Sequence, residues 1–348
     1  MRNQIITQDL EEIAREPLNF DDLSGKTVLI TGASGFFPAY LVETLLFLNE
    51  KKNLNIKIIG LVRNLEKAQK RFAHYQERED LELDTQSLSH PLRFSGPIDF
   101  VIHAASQASP KYYGKDPVGT LMPNVIGTYH LLELAREKKS QGFLFFSSSE
   151  IYGQSLDREP LHEKSFGITD CFQVRACYAE SKRMGETLCL SWGHQYRVPV
   201  KIMRPFHVYG PGMALDDGRV FADFVADIVA QRNIVMKSDG TATRSYCYLA
   251  DATRAFFTIW LKGSNAEAYN VGNEAAQASV LDLAERLVKL FPERGLRVER
   301  WKAPEPNLNY LPSPISKLSP NTRKIQELGW SPRYSIEDGF RRAVQSYL

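Results

Sequence analysis

Several features that mark other classes of protein are scarce or missing in this sequence. It has four cysteines, Cys171, Cys177, Cys189 and Cys247, and no two of them form a CxxC pair. Without a signal peptide, they are expected to be reduced thiols in a cytoplasmic protein. No group of histidines and cysteines has the spacing of metal ligands, so no bound metal is expected.

Long apolar runs and an excess of one charge are missing as well. No apolar run approaches the roughly 18 residues that cross a membrane. The nearest, "LVETLLFLNE", is interrupted by Glu43 and Glu50. The formal net charge of +2 indicates neither a nucleic-acid nor a membrane partner. Hydrophobic residues make up 43% of the chain and charged residues 24%, which is ordinary for a globular protein.

The chain does contain a regular alternation of apolar strands and amphipathic helices. The predicted strands include "KTVLITG", "NIKIIGLVRN", "IDFVIHAAS" and "GFLFFSSSEIYG". This order predicts an α/β fold with a doubly wound parallel sheet, covered by helices on both faces. We expect residues 1–24 to be an N-terminal extension with a short helix capped by Thr7. Residues 25–205 are expected to form a dinucleotide-binding domain, and residues 206–348 a smaller mixed part interwoven with it.

A glycine-rich turn, "TGASGFF", follows the first strand and opens a helix. Gly32 permits a tight turn, Gly35 lets the backbone approach a pyrophosphate, and the helix N-terminus favours its negative charge. Pro38 replaces the usual third glycine, and the first turn of a helix tolerates it because its missing N–H would be unpaired there. The turn therefore predicts a dinucleotide site, with a plain strand–helix turn as the alternative.

The end of the second strand leaves the choice of dinucleotide open. NAD sites usually carry Asp or Glu there, whereas NADP sites often carry arginine. The strand ends in "LVRN", which places Arg63 and Asn64 at that position. A phosphorylated ribose bound by Arg63 is one interpretation. An arginine that is solvated, or that stacks on adenine, is the other.

Tyr178 and Lys182 lie four residues apart in "CYAESKRMGETLC", and therefore on one face of a predicted helix. An earlier strand ends in "SSSE", which places hydroxyl groups at the carboxyl edge of the sheet, where ligands of such folds bind. Tyrosine is a poor base because its ordinary pKa is about 10, but a nearby ammonium favours the phenolate. With Ser148 sharing the proton, this set suits hydride transfer from a sugar carbinol to NAD.

Taken together, these motifs resemble those of extended short-chain dehydrogenases/reductases that act on nucleotide sugars. The resemblance covers roughly residues 26–340 and includes Asn124 in a long helix. It also rests on "TGASGF", "IHAAS", "SSSEIYG", "RPFHVYGPG", "DGTATRSYCYLAD" and "YNVGN". It implies a Rossmann fold, a nucleotide-sugar substrate and NAD as the cofactor, with NADP left open.

Within that family the chain is most similar to UDP-glucuronate decarboxylases, in "ASPKYYGKDPVGTLMPNVIGT", "CYAESKRMGETLC" and "DDGRVFADFV". Ser149 and Glu150 match their Ser-Glu pair, where dehydratases of the dTDP-glucose type carry Asp-Glu. GDP-mannose dehydratases share Thr-Ser-Glu with the decarboxylases, so a 4,6-dehydratase or a 4-epimerase stays an alternative. A non-catalytic NAD-binding scaffold is a third interpretation, which the presence of Tyr178 and Lys182 disfavours.

The resemblance also implies roles for individual residues. Tyr178 would take the proton of the C4 hydroxyl, Lys182 would lower the pKa of Tyr178, and Ser148 would hydrogen-bond the same hydroxyl. Glu150 would lie near C5 and its departing group, with a structural salt bridge as the alternative, and Ser149 takes the place of the dehydratases' aspartic acid. The residues expected to bind the cofactor are Gly32, Ser34, Gly35, Phe36, Phe37, Arg63, Ala104, Ala105, Ser106, Asn124, Tyr178 and Lys182. Those expected to bind the substrate, with packing or a surface ion pair as the alternative, are Tyr113, His207, Arg219 and Arg244.

The chain departs from the family pattern at a few positions. Pro38 replaces a glycine, Arg63 replaces an acidic residue, and His207 stands where asparagine is usual. These departures bear on the cofactor and the sugar rather than on the fold. The helices around Asn124 and Tyr178 pair across a dimer axis in this family, so a homodimer is expected. At the family level, a role in making precursors of polysaccharides is implied.

Overall fold

The structure is a computed structural model that describes residues 3–155, 160–300, 311 and 315–348. Its strands are Thr27–Thr31 (β1), Lys57–Leu61 (β2), Leu81–Asp84 (β3), Phe100–His103 (β4), Gly142–Phe146 (β5), Gln154–Ser155 (β6), Gly167–Ile168 (β7), Val200–Pro205 (β8), Val208–Tyr209 (β9), Ile234–Met236 (β10), Thr243–Ser245 (β11), Cys247–Tyr248 (β12), Glu267–Val271 (β13), Gln277–Ser279 (β14), Val298–Arg300 (β15) and Lys317–Leu318 (β16).

Helices connect and cover these strands. They are Gln4–Ala14 (α1), Phe36–Lys52 (α2), Leu65–Arg71 (α3), Pro117–Met122 (α4), Thr128–Lys138 (α5), Cys177–Tyr196 (α6), Val220–Val229 (α7), Leu249–Lys262 (α8), Val280–Leu290 (α9), Arg323–Gln326 (α10) and Ile336–Gln345 (α11). Within the described part of the chain, no helix has both the length and the apolar content that crossing a membrane would require.

Seven strands form one parallel sheet in the order β13-β8-β5-β4-β1-β2-β3. Strand β1 is buried along its whole length, and its side chains alternate between two cores. Val28 and Ile30 join the core that contains α2 and α8. Leu29 joins the opposite core, with Leu131 of α5 and Cys189 of α6. The predicted doubly wound α/β fold is confirmed.

Some local predictions were wrong or incomplete. Strand β3 was not predicted, because "LELD" is a half-exposed edge strand with acidic residues in place of an apolar run. Asn3 rather than Thr7 caps α1, since its side chain accepts the N–H of Ile5 at 2.9 Å. The predicted long helix "GTLMPNVIGTYHLLELAREKK", residues 119–139, contains a π-helical segment, Pro123–Gly127, where proline supplies no N–H to the helical ladder.

The C-terminal part starts at the carboxyl edge of the sheet. β9 follows β8 closely and pairs with β12, while β11 pairs with β14 and β16 in a small mixed sheet. Strand β13 lies far along the chain, yet it pairs with β8 at the edge of the main sheet. The smaller part is thereby joined to the sheet both in sequence and by hydrogen bonds.

The N-terminal helix α1 packs on α2 and α8 and carries a buried carboxylate. Asp9 accepts hydrogen bonds from the hydroxyls of Tyr40 at 2.6 Å and Tyr248 at 2.7 Å, and from Arg342 at 2.5 Å. Burial raises the pKa of Asp9, and these three partners oppose that rise. Because they belong to α2, β12 and α11, Asp9 links the cofactor-binding half of the chain to its C-terminus.

We predict that Asp9→Ala lowers the free energy of unfolding by about 3–5 kcal/mol, because it breaks the ion pair with Arg342 and leaves the buried hydroxyls of Tyr40 and Tyr248 without their acceptor. Chemical denaturation measures this loss. Glu11→Ala is the matched control, since Glu11 belongs to the same helix and pairs with Arg15 at the surface, at 3.6 Å. That variant should lose less than about 1 kcal/mol. Equal losses in the two variants would contradict the role given to Asp9.

Candidate active site

The carboxyl ends of β1, β4 and β5 lie side by side, because Thr31 pairs with His103 and His103 pairs with Phe145. The segments that follow these ends are the glycine turn, residues 104–106 and residues 147–150. Parallel strands bring their carboxyl ends to one edge of a sheet, so three distant stretches of sequence converge there. This edge carries the candidate site.

The turn after β1 fits a dinucleotide. Gly32 has a φ of +67°, and a Cβ there would lie 2.8 Å from the Cα of Ala105. Gly35 is the N-cap of α2 and brings no side chain to the first turn, where backbone N–H groups are free to bind phosphate. The hydroxyl of Thr31 accepts the N–H groups of Ala104 at 3.2 Å and Ala105 at 3.1 Å, which ties the two strand ends together.

Other predicted cofactor residues surround this turn. Ser34 and Phe36 are half-buried, whereas the ring of Phe37 is buried against Phe146, with 5.0 Å between the ring centroids. The side chain of Phe37 therefore supports the turn from the core. The hydroxyl of Ser106 is buried without a hydrogen-bond partner among the described residues, which leaves it free for a ligand.

Asn124 lies in the π-helical segment. Its amide nitrogen donates to the carbonyl of Thr120 and to the hydroxyl of Ser181, both at 3.0 Å, while its amide oxygen is buried with no partner in the described structure. His103 bonds both Thr31, at 2.9 Å, and the carbonyl of Pro123, at 3.1 Å. Burial lowers the pKa of His103 to about 3, so it stays neutral and structural.

At the end of β2, Arg63 is exposed, and Asn64 caps α3 by accepting the N–H of Lys67 at 2.8 Å. Hydrogen bonds from Gln107 and Gly119 lower the pKa of the Asp116 carboxyl, and the charge of Arg63 adds to the effect. The sequence reasoning missed the neighbouring carboxylate of Asp84, which ends β3 and there binds Gln86. It belongs to the strand that was not predicted.

Tyr178 and Lys182 are 6% and 2% exposed. Burial raises the pKa of Tyr178 to about 12, while a hydrogen bond with Ser148 lowers it. Glu150 raises it further, and the charges of Arg219 and Arg175 lower it. Burial lowers the pKa of Lys182 to about 7, and its ammonium donates to the carbonyl of Phe146 at 2.5 Å. The effect of Lys182 on the pKa of Tyr178 stays a prediction.

The "SSSE" segment divides its groups between site and core. The hydroxyl of Ser148 accepts the N–H of Glu150 at 3.2 Å, and Ser148 lies close enough to Tyr178 to lower its pKa. Ser149 is buried, 4% exposed. The preceding serine, Ser147, donates to Glu186 at 2.5 Å, and Glu186 is held bidentately by Arg204. The last contact is a buried ion pair that fixes the strand end.

Glu150 forms an ion pair, as the alternative left open for it predicts, but the sequence did not identify Arg175 as its partner. Arg175 donates from Nη2 to both carboxylate oxygens of Glu150, at 3.2 and 3.0 Å. Its guanidinium carbon lies 4.7 Å from the ring centroid of Tyr113, and that ring stacks on Tyr178 at 5.1 Å with 16° between the planes. Arg175 stands three residues before Tyr178, so a cation near the site could be read from the sequence, but its contact with Glu150 could not.

The four predicted substrate residues fall into two groups. Tyr113 lies against Tyr178, and Arg219, which pairs with Asp217, acts on the pKa of Tyr178. His207 and Arg244 form the other group, and the charge of Arg244 acts on the pKa of His207. Among these, Arg244 donates to the carbonyls of Thr243 at 2.8 Å, Ile315 at 2.7 Å and Ser316 at 3.2 Å.

His207 has a φ of +30°, which is unusual for a residue with a side chain. Its Nδ1 is buried without a partner in the described structure. Burial holds the pKa of His207 well below its usual range, and the charges of Arg244 and Arg219 add to this. His207 is therefore neutral. Within the described residues, no group of His, Cys, Asp and Glu side chains could hold a metal ion.

Residues 28–272 match the model of the NAD dependent epimerase/dehydratase family. The chain belongs to this family. UDP-glucuronic acid decarboxylase 3 of Arabidopsis thaliana is 31% identical over 314 residues, which span 90% of this chain and 86% of the relative. UDP-glucuronic acid decarboxylase 6 of the same plant is 30% identical over 318 residues, 91% of this chain and 87% of the relative.

Solved structures give the same fold. A UDP-glucuronic acid 4-epimerase from Bacillus cereus, in complex with UDP-glucuronic acid and NAD, superposes with a TM-score of 0.76 at 23% identity, covering 92% of this chain and 98% of that one. A dTDP-glucose 4,6-dehydratase from Bacillus anthracis, in complex with NAD, superposes with a TM-score of 0.73 at 19% identity, covering 93% of this chain and 96% of that one. The predicted family, the enzymatic nature of the chain and NAD as its cofactor are confirmed.

We predict that Gly32→Ala lowers NAD affinity by about tenfold or more, because the added Cβ pushes the turn away from Ala105. Calorimetric titration with NAD measures this. Gly25→Ala is the control, since Gly25 has nearly the same φ, +68°, yet nothing lies within 4 Å of an added Cβ. Both variants carry backbone strain of about 1–3 kcal/mol, but only the first should bind NAD weakly. Unchanged NAD affinity in Gly32→Ala would refute the assignment of the turn.

Proposed function

We propose that the protein is a UDP-glucuronate decarboxylase that works through a transient 4-keto sugar. The observation that carries the proposal is the arrangement of Ser148, Tyr178 and Glu150 at one edge of the sheet, where Arg175 holds Glu150 and rests near Tyr113, the ring that stacks on Tyr178. The relatives at 30–31% identity that are named UDP-glucuronic acid decarboxylases support it.

The first step would oxidise C4 of the sugar. NAD, when bound, supplies the acceptor for the hydride. Tyr178 takes the proton of the C4 hydroxyl, and Ser148, which acts on the pKa of Tyr178 and so lies beside it, hydrogen-bonds that hydroxyl. Phenolate is disfavoured in this buried place, because burial raises the pKa of Tyr178 to about 12. The cations Arg219 and Arg175 lower that pKa and so favour the base form.

The ketone at C4 lies beta to the carboxylate on C5. The bond from C5 to the carboxylate carbon then breaks, carbon dioxide leaves, and its electron pair passes into an enolate at C4 and C5. A proton returned to C5 restores the ketone, which either leaves as the 4-keto pentose, with the hydride retained on the cofactor, or is reduced at C4 by that hydride to UDP-xylose while Tyr178 returns its proton to the C4 oxygen. Glu150, at the end of "SSSE", is the carboxyl group proposed to lie nearest this centre, and Arg175 holds it there at 3.0 Å.

A dehydratase or an epimerase would use the same first step. In the dTDP-glucose type of dehydratase, an aspartic acid at the position of Ser149 expels water, and a serine cannot supply a comparably acidic proton. Ser149 is also buried, 4% exposed, so its place in the structure does not favour that role. An epimerase keeps the C5 substituent, which makes it the alternative that the assay must separate.

We predict that the protein, supplied with NAD, releases carbon dioxide from UDP-glucuronate and gives a pentose product. Mass spectrometry of products made in heavy water measures this, because protonation at C5 then adds deuterium. UDP-, dTDP-, GDP- and CDP-hexoses are incubated in parallel. Loss of water from a hexose would make the protein a dehydratase, and an unchanged mass with a new retention time would make it an epimerase.

The same assay tests the base. Tyr178→Phe should lower kcat by about 10²–10⁴-fold while NAD stays bound, because general base catalysis contributes about that much. Tyr196→Phe is the control, since Tyr196 is an exposed tyrosine at the other end of α6. Unchanged turnover in Tyr178→Phe would sink the assignment. Inactivity of the unmutated protein towards every sugar would favour the scaffold interpretation.

We further propose that the protein is a homodimer and acts in the cytoplasm. Apolar side chains are exposed on α4 and α6, which pack against each other. They include Val118 at 68%, Leu121 at 37%, Met184 at 48% and Leu190 at 43%. Neighbouring exposed apolar groups of this kind support association with another protein surface. The helices that carry them are the ones expected to pair in this family.

Light scattering after size exclusion should therefore give twice the mass of one chain. The double variant Leu121→Glu/Met184→Glu should give a monomer, because the partner surface would bury its charges. Val235→Glu places the same charge on an exposed valine of β10 and should leave the dimer intact. A monomeric unmutated protein would refute the proposal, and a dimer that survives the double variant would refute this choice of surface.

A further inference from the structure

Arg175 lies inside the candidate site, in the short turn that leads into α6. It holds Glu150 with one nitrogen, Nη2, and its guanidinium rests near the ring of Tyr113. Its charge is also among the effects on the pKa of Tyr178. The side chain is 12% exposed, so these contacts are made largely away from water. Arg175 was not among the residues that the sequence predicted to lie near C4 and C5 of the sugar.

The Nε–H of Arg175 is the unexplained group. It is buried and has no hydrogen-bond partner among the described residues, although Nη2 of the same guanidinium is bonded twice. A buried donor without an acceptor is unfavourable, and charged donors are the most costly to leave so. An arginine with one such N–H beside the proposed catalytic tyrosine is therefore suited to donate a hydrogen bond to a negatively charged atom of a ligand.

Charge balance points to the same conclusion. A sugar with a carboxylate on C5 would bring a second negative charge into a site that already contains Glu150. Like charges in a poorly hydrated site repel strongly unless a cation lies between them. The ammonium of Lys182 donates to the carbonyl of Phe146, and Arg219 pairs with Asp217. Arg175 is the cation in contact with Glu150, and it has a donor to spare.

We propose that Arg175 selects an anionic sugar, with Nη2 holding Glu150 and the Nε–H donating to the carboxylate on C5 of the substrate. Tyr113 stacks on Tyr178, and the guanidinium of Arg175 lies over the ring of Tyr113. These two contacts fix the orientation of the guanidinium. The inference rests on the proposed function, because it assumes a uronic acid substrate. It adds the residue that distinguishes such a substrate from a neutral hexose.

The test is a binding measurement in the Tyr178→Phe protein, where turnover is blocked. NAD-loaded protein is titrated with UDP-glucuronate and with UDP-glucose by calorimetry. Adding Arg175→Gln should lower the affinity for UDP-glucuronate by about 10- to 100-fold, because one charge-assisted hydrogen bond is lost. The affinity for UDP-glucose should change by less than about threefold, since this substrate makes no such bond. Arg175→Lys keeps the charge without the fork and should recover only part of the loss.

The control Arg197→Gln removes an exposed arginine at the far end of α6 and should change neither affinity. Equal weakening of both sugars by Arg175→Gln would show a merely structural role and overturn the inference. An unchanged preference, or no binding of UDP-glucuronate to the Tyr178→Phe protein, would overturn it as well. If the preference depends on Arg175 but the unmutated protein releases no carbon dioxide, the proposed reaction fails while the selection of an anionic sugar stands.

Discussion

The site depends on a reversal of strand order between β1 and β4. The chain runs from β1 to β2 and β3 on one side, then returns to place β4 on the other side of β1. The helix after β1 joins one core, and the helices after β4 join the opposite core. A crevice therefore opens outside the carboxyl ends of these two strands. The hydroxyl of Thr31 spans this point by accepting the N–H groups of Ala104 and Ala105, and only glycine at position 32 permits so close an approach.

Burial at this edge sets the chemistry of the proposed base. It raises the pKa of Tyr178 to about 12 and lowers that of Lys182 to about 7, so both groups are driven towards their neutral forms. Charge must come from outside this pair to favour proton transfer. Arg219 and Arg175 lower the pKa of Tyr178, while Glu150 raises it. Because Arg175 pairs with Glu150, one contact both orients the carboxylate and offsets its effect on the tyrosine.

The parts of this arrangement that could be predicted from sequence are those written in local spacing. The glycine turn, the four-residue step from Tyr178 to Lys182 and the strand-terminal serines each have a local pattern. The pair of Glu150 with Arg175 joins two segments that meet only in the fold, so no spacing reveals it. Strand β3 was not predicted, because an edge strand that is only half-buried does not need an apolar run. Asp9 reads as an ordinary helix-surface acid, although α2, β12 and α11 bury it completely.

Specificity in such a site is decided after the first oxidation, which is common to decarboxylation, dehydration and epimerisation. The roles proposed for Tyr178 and Ser148 are the same in all three reactions, so these residues cannot distinguish them. The fate of the ketone depends instead on the groups proposed to lie around C5, where a leaving carboxylate, a leaving hydroxyl or a retained substituent each needs a different environment. A serine at 149 is far less acidic than the aspartic acid found there in dehydratases of the dTDP-glucose type, and the Glu150–Arg175 pair supplies both signs of charge in one place. An environment of that kind matches a charged substituent better than a neutral hydroxymethyl group, because each of its charges keeps a partner when the carboxylate is bound.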